Sequence, residues 1–92
     1  MSSRVADVTF VPAGQDERAR GLPGFVSMRL GDDLVLDGVT LRRTEQGRLA
    51  LSYPMRRDRR GRTHHFIRPA DDDARRRLER AVIDALRRGG AL

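Results

Sequence analysis

Apolar and polar residues alternate with a period of two through most of the first half of the chain and recur with a helical period near its end. Val5 to Val11 alternates loosely in a β-rich composition and stops at Pro12, which predicts a first strand. The polar, glycine-containing stretch AGQDERARGLPG reads as a loop. From Phe25 to Leu30, Val26, Met28 and Leu30 alternate with Ser27 and Arg29, the period of a half-buried strand. Gly31 to Asp33 supplies a tight turn, and Leu34 to Leu41 returns as a strand with Val35, Val39 and Leu41 on one face. A second turn at Glu45 to Gly47 leads into RLALSYP, where Leu49, Leu51 and Tyr53 share a face and Pro54 ends the strand.

The next segment, MRRDRRGRTHH, has no apolar period and predicts an exposed loop or a protruding hairpin tip, with Gly61 as the turn residue. HFIRPA reads as a short strand ended by Pro69, after which Asp71, Asp72 and Asp73 offer an N-cap and negative charge for a helix start. That helix should run to about Arg88, where Gly89 and Gly90 stop it. At about 100° per residue, Ala74, Leu78, Ala81, Val82 and Ala85 fall on one side and Arg76, Arg80 and Arg87 on the other, with Ile83 at the edge of the arginine side. The expectation is one α+β domain over residues 1–92: an antiparallel β-meander of four to five strands followed by a C-terminal amphipathic helix.

Charge sharpens this picture. The formal net charge is +6, and all 19 cationic side chains are arginine. Residues 1–54 carry 7 Arg against 7 acids, whereas residues 55–92 carry 12 Arg against 6, so the whole excess lies in the second part. Such polarity favours a polyanionic partner. The absence of cysteine excludes disulfides and thiolate metal sites within the chain. The N-terminal residues lack a secretory apolar run and no stretch is long enough to span a membrane, so a cytoplasmic protein, in the vicinity of the nucleoid, is expected. With Phe10, Phe25, Tyr53 and Phe66 as its only aromatics the core should be thin. Free sheet edges add a reason to expect a homodimer.

The order of these motifs, from VADV through the hairpin, the strand closing in Tyr53-Pro54, the basic segment with its glycine, and the proline before the helix, resembles the stage V sporulation protein G (SpoVG-type septation protein) family over roughly residues 4–88. Pro54, Arg56 and Arg57 fall where that family has its proline and basic pair, Gly61 at its turn glycine and Pro69 at its pre-helix proline. Arg68 replaces a usual histidine, and His64 and His65 stand where Arg and Asp are common. The resemblance implies a cytoplasmic dimeric regulator, connected with sporulation or septation, that binds DNA and in some members RNA.

The residues supply their own argument for nucleic acid. Arg56, Arg57, Arg59, Arg60 and Arg62 crowd around the single nearby acid Asp58, and the planar guanidinium fork matches phosphate oxygens or a guanine edge. A solvated loop is the plain alternative. On the helix, Asp71–Arg75, Asp72–Arg76, Asp73–Arg77 and Asp84–Arg88 are spaced for i,i+4 pairs, while Arg80 has no acid four residues before it and faces Arg76. Arg76 and Arg80 are therefore the helix candidates for phosphate contact. Adjacent His64 and His65 point to opposite faces of a strand with no third ligand placed beside them, so no metal is expected. Neither a nucleophile with a paired base nor a phosphate-cradling glycine motif is present, and an enzyme, a cofactor or a small-molecule substrate is not expected. The competing reading is a protein-interaction adaptor in cell division or septation whose basic loop docks an acidic partner.

Overall fold

The computed structural model describes residues 5–92. Arg4, where the family resemblance begins, lies outside them. Four strands, β1 (Val5–Pro12), β2 (Gly24–Leu30), β3 (Leu34–Arg43) and β4 (Leu49–Ser52), form an antiparallel sheet in the order β1-β2-β3-β4. Two short strands, β5 (Met55–Arg57) and β6 (Thr63–His65), pair only with each other, and the chain closes in a helix. The architecture is α+β, as the pattern predicts. The polar segment after β1, expected as a loop, contains one short helix, α1 (Gln15–Ala19), too brief to leave a periodic signature.

The pairing of β2 with each of its neighbours is interrupted by a bulge, and these bulges decide which residues face the core. Val26 pairs with Val39 and Met28 with Leu36, so Asp37 and Gly38 together oppose Ser27. Gly38 adopts φ 78°, the left-handed geometry that such a bulge requires and that glycine takes without strain. Side-chain parity flips there. Val39 and Leu41 are fully buried and Leu36 packs beside them, whereas Val35, expected on their face, is 64% exposed. In β1 the pairing shifts between Ala6 and Thr9, with Asp7 at φ 50°, which brings Val5, Val8 and Phe10 to one face. The Asp7 carboxylate meets Arg29 Nε at 3.0 Å across the strands.

The C-terminal helix, α2 (Asp72–Arg88), begins as its sequence dictates: Asp71 is the N-cap and its Oδ1 accepts from Ala74 N at 2.8 Å. Gly89 and Gly90 end it, with Gly89 N donating to Ala85 O at 3.0 Å. Val82 and Leu86 insert among Val26, Met28, Val39, Leu41 and Leu51, giving a two-layer core. Ile83 is half-buried against this core, because the apolar stripe is centred on Val82 and Leu86 and lies further round the helix than alanine positions suggest. Glu79 ties the layers together at the sheet edge. Its Oε2 accepts from the Leu51 N–H at 3.1 Å and its Oε1 from Arg75 Nη1 at 3.1 Å. One edge that sequence reasoning left free is thus partly occupied from within, while the outer edge of β1 is unpaired among the described residues. No helix of the described residues is long and apolar enough to cross a membrane.

Candidate nucleic-acid interface

The segment read as a loop or protruding hairpin tip is a hairpin. Met55 pairs with His65, Arg56 with His64 and Arg57 with Thr63, so strand pleating sends Arg56 to one face and Arg57 to the other. Arg59 and Arg60 occupy the tip, and Gly61 turns the chain at φ 78° with open space around its Cα. HFIRPA does not form the expected strand: β6 ends at His65, and Phe66 to Ala70 is an irregular approach to the helix. Phe66 N donates to Pro54 O at 3.3 Å, which closes the base of the hairpin.

Asp58 is the residue that builds this tip. Its Oδ1 accepts from the backbone N–H of Arg60 at 2.8 Å and of Arg62 at 2.9 Å, and its Oδ2 lies 2.9 Å from His64 Nε2. Its own N–H donates to Arg62 O at 2.9 Å and its carbonyl accepts from Gly61 N at 3.1 Å. The His64 bond first, and then the backbone donors, hold the Asp58 carboxyl below its ordinary value of 3.8. The one acid of the segment is thereby committed to backbone and imidazole. Among the described residues none of Arg56, Arg57, Arg59, Arg60 and Arg62 has a carboxylate within 4.0 Å, and all but the half-buried Asp58 side of the turn lies open to solvent.

The helix arginines divide. Arg76 Nη2 pairs with Asp73 Oδ1 at 2.8 Å and Arg75 with Asp72 at 3.7 Å, both at i,i+3, and among the described residues none of the expected pairs Asp71–Arg75, Asp72–Arg76, Asp73–Arg77 and Asp84–Arg88 lies within 4.0 Å. Arg80 has no carboxylate within 4.0 Å among the described residues and lies with Arg76 and Arg77 in a shallow groove on the helix surface. Of the two helix candidates, Arg80 is the freer cation and Arg76 is already paired, although that pair is solvent-exposed and weak.

His65 sits across from Met55 while His64 is engaged by Asp58. Among the described residues no three histidine, aspartate or glutamate side chains converge as metal ligands would. Sequence reasoning missed two features. Met55 and Phe66, 54% and 70% exposed, are uncovered apolar side chains at the hairpin base. A second arginine-walled depression opens between the β3–β4 turn and the last turns of α2. The exposed Phe66 had a signal in the failure of HFI to continue any alternation, whereas the depression joins segments far apart in sequence and had none.

Comparison with protein-family models and with curated proteins found no match to this chain. A functional reading therefore rests on the residues and their arrangement.

Proposed function

We propose that the chain is a non-enzymatic regulatory protein of the stage V sporulation protein G type that binds nucleic acid, DNA first and RNA as the second candidate, through the arginine hairpin. The observation that carries the reading is the commitment of Asp58 to its own turn, with five guanidiniums that have no carboxylate within 4.0 Å among the described residues. Crowded like charges raise the free energy of the isolated protein, and phosphates relieve that repulsion while releasing condensed counterions. Shape supports the same partner. A two-stranded ribbon is one of the two elements that fit the major groove of B-DNA, and arginines on both faces of the ribbon and at its tip would meet both groove walls and the base edges between them. Arg80, with Arg76 beside it, extends the cationic surface along α2.

The assembly that uses these hairpins is a homodimer in this proposal, supported by the unpaired edge of β1 and by exposed Met55 and Phe66. A twofold axis would present two ribbons to one duplex. Binding of the intact protein to duplex DNA, single-stranded DNA and RNA at two salt concentrations tests the function, alongside the variant Arg56→Ala/Arg57→Ala/Arg59→Ala/Arg60→Ala. Removing four charge-assisted contacts should weaken duplex binding by about a hundredfold or more. Unchanged affinity in that variant overturns the proposal. Loss of binding to an acidic protein partner, without any nucleic-acid affinity to lose, establishes the adaptor reading instead.

A further inference from the structure

The depression between the β3–β4 turn and the C-terminal half of α2 is an open cleft of about 810 Å³, lined by residues that the hairpin reading does not use, Arg80 excepted. Its turn wall is stitched in place. Arg43 Nη1 donates to Gly47 O at 3.0 Å, Arg48 N to Thr44 Oγ1 at 3.1 Å, and Thr44 N to Arg48 O at 2.7 Å. Arg48 stands on this wall and Arg80 and Arg87 on the facing helix. Those last two are seven residues apart, close to two helical turns, and so share a face. Among the described residues none of these three arginines has a carboxylate within 4.0 Å, and Asp84 is the single acidic side chain lining the cleft. Between the charged walls, half-buried Leu49 and Ile83 form an aliphatic floor.

We infer that this cleft holds an unpaired nucleotide unit of a single-stranded nucleic acid, with its phosphate on Arg48, Arg80 and Arg87 and the face of its base over Leu49 and Ile83. A bare anion would satisfy the guanidiniums but leave the aliphatic floor in water, whereas a base covers it and stacks on a guanidinium plane as well. A duplex does not fill this role, because its base faces are stacked on one another and none is free to lie over Leu49 and Ile83. The inference deepens the nucleic-acid reading and rests on it, but it assigns a surface that shares only Arg80 with that reading: β4 leads from Leu49 in the cleft to Ser52, and the hairpin departs beyond that far end.

The test compares Arg48→Ala/Arg87→Ala with the four-arginine hairpin variant and with the unaltered protein. Each is titrated with a single-stranded oligonucleotide about eight nucleotides long, a size typical of one single-strand-binding module. A longer duplex, a nucleoside 5′-monophosphate and a short polyglutamate peptide complete the set of ligands. Affinities are read by fluorescence anisotropy, and the contact surface by amide shifts in nitrogen-15 spectra. The cleft variant should lose about tenfold in single-strand affinity and change duplex affinity by less than about threefold. In the unaltered protein, the amides of Gly47, Leu49 and Ile83 should shift with the single strand. A general loss of positive field would act at least as strongly on the duplex, whose charge density is higher, so selective loss on the single strand discriminates. Equal loss on both ligands, or no loss on either, overturns the inference. So does a nucleotide monophosphate or polyglutamate that binds the cleft more tightly than the oligonucleotide. If the hairpin variant leaves duplex binding intact, the hairpin reading fails, whatever the cleft variant does.

Discussion

The sheet–helix body and the arginine hairpin are built on opposite principles. In the body, Val26, Met28, Val39, Leu41 and Val82 are almost wholly withdrawn from water, and sheet and helix are held by apolar contact between the two layers. In the hairpin every residue of β5 and β6 is exposed, no second layer among the described residues backs the ribbon, and one carboxylate takes the place of a core. A lone two-stranded ribbon is marginal in water. Its ordering here comes from the anchored base at Pro54 and Phe66 and from the Asp58 turn. The body therefore carries the stability, and the hairpin draws on very little of it while displaying unneutralised charge.

This contrast can be broken most forcefully in the core. Leu41→Ala should lower unfolding free energy by about 2–5 kcal/mol in urea denaturation, a large share of the roughly 5–15 kcal/mol available to a domain. The four-arginine hairpin variant should change it by no more than about 0.5 kcal/mol. A hairpin variant as damaging as Leu41→Ala would mean that those guanidiniums are structural.

Next in size is Asp58→Ala. The Arg60 and Arg62 amides should exchange with deuterated solvent about tenfold faster or more, while exchange in β2 and β3 stays the same, because only the ribbon depends on that carboxylate. Acid should reproduce the effect. Asp58 has a lowered folded-state value, so the stability it contributes is fully present above 3.8 and disappears as pH falls through that lowered value. Hairpin amides should lose protection in that acid range before the core unfolds.

A smaller effect lies at alkaline pH. Burial, with Glu79 adding to it and Arg75 opposing, pushes the Tyr53 hydroxyl up to about 12. The neutral form is the one the fold favours, so its contribution is complete below the ordinary value of 10.0 and is lost as pH rises toward about 12. Tyr53 is the single tyrosine, and the chain has no cysteine or lysine, which makes phenolate absorbance a clean readout of that one group. Its hydroxyl is buried without a hydrogen-bond partner among the described residues. Tyr53→Phe should accordingly be neutral or stabilising by up to about 1 kcal/mol in thermal denaturation, and it should abolish the absorbance step.

The four strands of the main sheet and the helix limits were legible because they rest on local chemistry: alternation in β2 and β4, the Asp71 cap, the paired glycines after Arg88. The face of β3 was not, because parity there depends on where Gly38 places a bulge relative to β2, and register is a property of the pair of strands. HFIRPA was misread as a strand because its short apolar run has no partner strand beyond His65. Ile83 does lie at the edge of the arginine side, beside Arg80 and Arg87, but that it also packs against the core was not legible: alanines mark the side of a helix that tolerates contact, while Val82 and Leu86 mark where contact is made. For the candidate site, crowding of arginine around Asp58 could be read directly. That Asp58 bonds the backbone and His64 and leaves the arginines alone required coordinates. The cleft needed them entirely, since Arg48 and Arg87 meet only after the sheet and helix have packed.

The most direct trial of the central claim is duplex-DNA affinity as a function of salt. About six phosphate contacts in a dimer predict a slope near −5 for log affinity against log salt, and each phosphate-bound arginine changed to alanine should make that slope shallower by roughly one. A slope near zero would mean that the guanidiniums of the hairpin displace no counterions from DNA, contradicting the account at its root.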